Sequence, residues 1–207
     1  MYIPKHFEGS DAIGREIMQA HSWALLMTTG EDGAPFATHL SLLWQDDGSP
    51  HGALVGHMAR ANAHWKLFAR QAESLALFWG PHAYVSPTWY APGVKVPTWN
   101  YVTVHAYGRP QIITETEGAL EVLGKLATAY EGTGGESWSL RQLPPGNAEA
   151  QSRGIVAFRM ALSRVETKIK LSQNRDLEDR QRVITKLAES DSQDAQATAA
   201  WMKRVLP

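Results

Sequence analysis

Three observations predict an α+β fold, mainly antiparallel β, closed as a barrel or stacked as a sandwich. Short runs rich in apolar, β-branched and aromatic residues crowd the first half of the chain. They are separated by turn residues such as Glu31-Asp32-Gly33 and Asp46-Asp47-Gly48, leaving little room for crossover helices. The apolar period becomes helical only after about residue 114. With 207 residues and no long linker, residues 1–207 read as a single domain with a helical extension over 176–207.

A short helix opens the chain, with Ser10 or Asp11 as its cap and Ile13 and Ile17 on one face. Strands are expected over 22–29, 36–44, 53–58, 74–79 and 101–108. In "GHMARANAHW" (56–65) a strand ends near His57 and the chain turns through Ala59-Arg60-Ala61. Asn62 then caps a helix carrying Trp65 and Phe68. The stretch 80–101 is crowded with Tyr84, Trp89, Tyr90, Trp99 and Tyr101 and broken by prolines, so it reads as a loop.

The pattern predicts a long helix over 114–131. Thr114 and Glu117 have capping-box spacing, Leu120, Leu123, Leu126, Ala127 and Tyr130 form a stripe, and Gly132 ends it. A glycine-proline-rich connection (132–146) leads to another strand over 155–166. Two helices follow, one over 176–188 with Val183, Ile184 and Leu187 inward, the other ending near Val205 with Trp201 docked on the body.

Charge and composition narrow the function. Twenty Lys and Arg nearly cancel 21 Asp and Glu, so no global positive field draws in DNA or an anionic membrane. The absence of cysteine excludes disulfides, thiolate nucleophiles and zinc–cysteine centres. The opening "MYIPKHFEGS" lacks the apolar core of a signal peptide and no run approaches the ~20 apolar residues of a span. A soluble cytoplasmic protein with no membrane partner is expected. All eight histidines fall within the first 105 residues, but none forms His-x-His or His-x-x-x-His, so no metal site is expected.

Three stretches carry candidate chemistry. The Arg60 turn suits an anion, because a helix start offers unpaired N–H groups beside a guanidinium fork, although a solvated Arg60 and a core His57 fit the same residues. The aromatic stretch 80–101 offers flat faces for a ring system, or folds over a small core of its own, or meets a second subunit. "KIKLSQNR" (168–175) sets three cations among Ser172, Gln173 and Asn174, a surface for a polar, anionic or heterocyclic ligand or a polar turn before a helix. Together they meet the needs of a phosphorylated aromatic cofactor.

The blocks "MYIPKHFEGSD", "GHMARANAHW", "GPHAYVSPTWY", "VPTWNYVTVHAYGRP" and "KLSQNR", in order from Met1 to Arg175, resemble the signatures of the PaiB family, described as FMN-binding negative transcriptional regulators. The resemblance implies an FMN-binding split β-barrel related to pyridoxamine phosphate oxidase, with peripheral and C-terminal helices, that forms a homodimer with FMN between subunits. Residue by residue it implies that Thr38 and His39 line the cofactor, that Gly56, His57 and Arg60 hold its phosphate, and that Asn62 closes that pocket. It further places Trp99 and Asn100 along the isoalloxazine, with Lys170, Gln173 and Asn174 entering from the C-terminal part. This chain has Ala63 and Thr167 where the family often has proline and glycine.

Two tasks follow. A negative transcriptional regulator matches the family description, but there is no helix-turn-helix or basic helix, so DNA is met through a dimer surface or a protein partner. An FMN-dependent oxidoreductase needs only to place a small molecule over the ring, with His57, His82, His105 or Tyr84 as proton carriers. Flavin storage or sensing is a third, simpler task.

Overall fold

Six strands form a closed barrel in the order β1-β2-β3-β6-β5-β4: β1 (Trp23–Thr29), β2 (Pro35–Gln45), β3 (Ala53–Ala59), β4 (Ser74–Val85), β5 (Thr98–Ile113) and β6 (Ile155–Lys170). This is a computed structural model; it describes every residue except Gln71 and Val94. Among the described residues five α-helices accompany the strands: α1 (Asp11–Ala20), α2 (Thr116–Glu131), α3 (Asn147–Ser152), α4 (Leu177–Ala188) and α5 (Gln193–Arg204). The α+β, mainly antiparallel class read from the sequence is the one observed, in its barrel form.

Contacts divide the chain into two compact units. One holds Met18–Phe78 and His105–Val165; the other holds Met1–Ile17, Trp79–Val104 and Glu166–Pro207. The boundaries fall inside β4, β5 and β6, so the units are not successive pieces of sequence.

In the first unit β1, β2 and β3 form an antiparallel meander, with Leu26 opposite Thr38 and Leu42 opposite Gly56, and β6 continues it with Phe158 opposite Gly56. Alternation sends Leu26, Leu42, Leu54, Met58, Ala76, Phe78, Phe158 and Met160 into a core that is buried throughout. Val55 and Ala157 point the other way and pack against Ala119, Val122 and Leu126 of α2. The buried face of α2 is therefore turned from the stripe expected: Leu120 and Leu123 are only half-buried and Tyr130 is exposed. The capping box does not form either. Glu115 is the N-cap and makes no side-chain cap bond, while Thr114 Oγ1 donates to the Glu115 carboxylate. Gly132 does end the helix, its N–H bonding the Thr128 carbonyl.

In the second unit Ser10 is the cap expected at α1, its Oγ accepting from the Ile13 N–H at 3.3 Å. Val183, Ile184 and Leu187 of α4 are buried as expected, and α5 buries Ala195, Thr198, Ala199 and Met202. Met202, not Trp201, is the fully buried anchor of α5, while Trp201 lies half-buried under the Arg204 guanidinium, 4.0 Å from its ring centroid. β4 runs through Gly80 and Pro81 to Val85, so the first part of the expected aromatic loop is strand. Prolines and a short 3-10 turn (Pro87–Trp89) follow. At Gly9 a Cβ would lie 2.5 Å from Thr167 Cγ2, so Thr167 packs directly on this glycine.

Candidate functional site

Of the expected site residues, Thr38, His39, Gly56, His57, Arg60 and Asn62 lie in the barrel unit, while Trp99, Asn100, Lys170, Gln173 and Asn174 lie in the other.

The Arg60 turn is built around Asn62. Its Oδ1 accepts from the His64 N–H at 3.0 Å, capping the expected helix, which is a 3-10 helix over Ala63–Arg70, and its Nδ2 donates to Thr38 Oγ1 at 3.1 Å. His64, absent from the expected set, completes the arrangement. Its Nδ1 bonds Thr38 Oγ1 at 2.8 Å and its Nε2 bonds Thr28 Oγ1 at 2.9 Å, and Thr28 in turn pairs with Ser74 Oγ at 2.6 Å. Burial holds its pKa down at about 4, so the ring is neutral at physiological pH. A histidine two residues past the cap, with Leu67 and Phe68 inward beside it, is the signal that was available.

Gly56 has a packing reason for its identity. A Cβ there would approach the Ser41 carbonyl oxygen and Leu42 Cδ2 to 2.8 Å, where β2 and β3 come together. His57 is half-buried, its Nδ1 is shut away from solvent with no hydrogen-bond partner, and burial lowers its pKa. His39 stacks on Trp23 with centroids 6.3 Å apart. Arg60 donates from Nε to the Arg153 carbonyl at 2.7 Å and from Nη2 to the Ile155 carbonyl at 2.8 Å. That spends two of the five guanidinium N–H groups and leaves three.

In the other unit the Trp99 ring is exposed and lies near His82 and Tyr84, with centroids 6.2 and 6.0 Å apart. With Trp89 these rings line an open cavity of about 570 Å³, to which Lys186, Ser192 and Asp194 of the helical tail add polar groups. Asn100, the next residue, points to the opposite face of β5 and is fully buried. It donates to Ser172 Oγ at 3.0 Å and accepts from the same hydroxyl at 3.1 Å. Gln173 braces its own turn, accepting from the Leu171 N–H at 2.7 Å and donating to the Ile169 carbonyl at 2.5 Å. Lys170 Nζ donates to Thr98 Oγ1 and to the Trp99 carbonyl, the latter at 2.5 Å. Burial, then the charges of Lys168 and Arg175, push its pKa down. Asn174 is exposed and, with Lys170 and Arg175, lines a second pocket of about 130 Å³. Among the described residues no three His, Asp or Glu side chains gather as a metal ion requires, and no helix is long and apolar enough to cross a membrane.

The strands close an antiparallel barrel, and comparison with known proteins gives the family. The model described as "Putative FMN-binding domain" matches residues 1–164, so the chain belongs to that family and its cofactor is FMN. The chain is 36% identical to the Bacillus subtilis (strain 168) "Protease synthase and sporulation protein PAI 2", an alignment covering 98% of this chain and 97% of that protein. Among solved structures, the flavocytochrome Anf3 from Azotobacter vinelandii has the same fold with a TM-score of 0.63 at 18% identity, covering 82% of this chain and 72% of that one. The FAD and heme binding protein from Mycobacterium smegmatis superposes with a TM-score of 0.61 at 15% identity, covering 83% and 76%.

Each unit, taken by itself, holds groups that suit part of such a cofactor. The aromatic cavity has the volume and flat walls that a ring system takes up. His57 Nδ1 is a buried polar atom without a partner, and the remaining Arg60 N–H groups are donors matched to phosphate oxygens.

Proposed function

We propose that this protein is an FMN-binding regulator whose output is reduced transcription, the role that its resemblance to the PaiB family implies. The observation that carries this reading is the match to PAI 2, 36% identical over 98% of this chain and 97% of that protein. With a net charge of −1, phosphate-driven affinity for DNA is weak, so the regulatory surface is a local one on a homodimer or is shared with a protein partner in the cytoplasm.

In this reading Arg60 takes the FMN phosphate beside Gly56 and His57, while Thr38 and Asn62 keep that turn in shape and His39 flanks it. Trp99 offers its exposed ring to the flavin, and Lys170 and Asn174 supply polar contacts. Asn100 and Gln173, committed to Ser172 and to backbone groups, act by holding the strand end and the turn in place. Bound FMN supplies one- and two-electron transfer.

A second reading, an FMN-dependent oxidoreductase for a small molecule, is favoured by the open cavity itself. His82 and Tyr84 line it next to Trp99 and are groups able to carry a proton. The deciding experiment is gel filtration of the purified chain with FMN, followed by the absorption spectrum of the protein peak. One retained flavin per chain in a dimer-sized peak is expected, and a folded protein that retains none sinks the cofactor assignment. On the loaded protein, sequence-selective DNA binding at physiological salt supports the regulator, and steady NAD(P)H oxidation without DNA binding supports the enzyme.

A further inference from the structure

We propose that the 130 Å³ pocket lined by Thr98, Asn100, Lys170, Ser172, Asn174 and Arg175 is a binding site for a small tetrahedral oxyanion, a phosphate or a phosphate monoester. The pocket is too small for a ring system, and no carboxylate lines it.

The charge arrangement points to the ligand. Lys168 Nζ bonds the Tyr2 carbonyl, Lys170 Nζ bonds Thr98 Oγ1 and the Trp99 carbonyl, and the Arg175 guanidinium sits 5.1 Å from the Tyr90 ring centroid. All of these partners are neutral. Of the acids nearby, Asp179 accepts from Lys95 Nζ and the Ala91 N–H and also feels the Arg175 charge, and Glu166 pairs with the amino group of Met1. The charges of Lys168 and Arg175 both act on Lys170, and an oxyanion bound among the three cations relieves that repulsion. Lysine and arginine N–H groups still have donors to give it, since Lys170 has three and uses two.

The turn that carries these groups is held in advance. Among the described residues Ser172 alone of the non-glycines has a left-handed backbone, φ +64°. Asn100 grips its hydroxyl from the core and Gln173 braces the backbone on either side. Thr98 and Asn100 face this pocket while Trp99 faces the aromatic cavity, so the two sites lie on opposite faces of β5. Lys170 links them through its bond to the Trp99 carbonyl.

The test is calorimetric titration of inorganic phosphate into the full-length protein stripped of flavin, loaded with FMN, or loaded with riboflavin. Saturable binding of one phosphate per chain to the stripped protein is expected. It should weaken at least tenfold in Lys170→Met and in Arg175→Met, and stay unchanged in Arg182→Met, which removes a cation paired with Glu178 on the same tail. Phosphate binding that survives riboflavin but not FMN assigns the pocket to the cofactor's own phosphate. Binding that survives both assigns it to a second oxyanion ligand. The proposal is overturned by a folded, flavin-stripped protein that binds no phosphate saturably, or by Arg175→Met binding it as the parent does. The turn's bond at Arg175 is made by its backbone N–H, which donates to the Ser172 carbonyl at 2.9 Å, so Arg175→Met leaves that bond in place. A protein that fails to retain FMN yet binds phosphate at this pocket would separate this site from the cofactor reading.

Discussion

Asn100 and Ser172 exchange two hydrogen bonds, Nδ2–H to Oγ at 3.0 Å and Oγ–H to Oδ1 at 3.1 Å, between the start of β5 and the turn that follows β6. Both side chains are buried, and the pair fixes the one non-glycine left-handed residue among those described. Positive φ costs a serine roughly 1 kcal/mol, so the asparagine offsets strain at the point where the candidate anion ligands gather.

This pair predicts an order of stabilities. Ser172→Ala keeps the strained backbone and takes the donor from buried Asn100 Oδ1, while Nδ2 keeps its bond to Met202 Sδ, whereas Ser172→Gly loses the same bonds but relaxes the backbone. The alanine variant should be less stable than the parent by about 2–3 kcal/mol and the glycine variant by about 1 kcal/mol less than that. Urea midpoints at neutral pH measure the difference. Equal midpoints for the two variants would show that φ at this residue carries no strain.

His64 predicts a pH dependence. Its folded pKa of about 4 lies below the ordinary histidine value, so between about pH 6.5 and pH 4 the unfolded chain binds a proton that the native chain does not. Stability is therefore fully present above about pH 6.5, falls as pH drops toward 4, and loses on the order of a few kcal/mol across that window. His57, also lowered by burial, adds to the same trend. Unfolding free energies of the parent and of His64→Gln, measured from pH 7 to pH 5, should show a shallower slope in the variant. Parallel slopes would mean that His64 takes up its proton in the folded state.

The strands were legible in the sequence because their alternation faces a core on one side, and β1, β2 and β3 differ from expectation only at their ends. β4 and β5 were read short because Gly80, Pro81 and Pro110 look like strand breakers, yet each lies within a strand. The Asn62 cap was legible from a local pattern, since its partner is the His64 N–H only two residues on. The Thr38–His64–Thr28 bonds and the Asn100–Ser172 pair were not, because their members lie 26, 36 and 72 residues apart and only the fold brings them together. The face of α2 was misjudged because both possible stripes are apolar, and the choice is made by Val55 and Ala157 beneath it.

Lys95 and Asp179 predict how the aromatic segment is held. The Asp179 carboxylate is buried and accepts from Lys95 Nζ at 2.7 Å and from the Ala91 N–H at 2.8 Å; the lysine bond foremost holds its pKa below the usual carboxylate value. Asp179→Ala should free the segment around residue 91 and cost about 2–3 kcal/mol, while Asp179→Asn keeps an acceptor for the Ala91 N–H and should cost less. Hydrogen exchange at Ala91 reads this directly. Protection in Asp179→Ala equal to the parent's would place the anchor elsewhere.

Arg60 allows the two roles of one side chain to be separated. Its bonds to the Arg153 and Ile155 carbonyls support the fold, and its unspent N–H groups are those assigned to phosphate. Arg60→Lys keeps the charge but replaces the planar fork, so it should keep part of the preference for FMN over riboflavin while losing some stability. Arg60→Ala should lose about 1.5–3 kcal/mol of FMN affinity and almost none of riboflavin affinity. Flavin fluorescence titrations of both ligands against both variants separate the contributions, because a purely structural arginine weakens FMN and riboflavin alike.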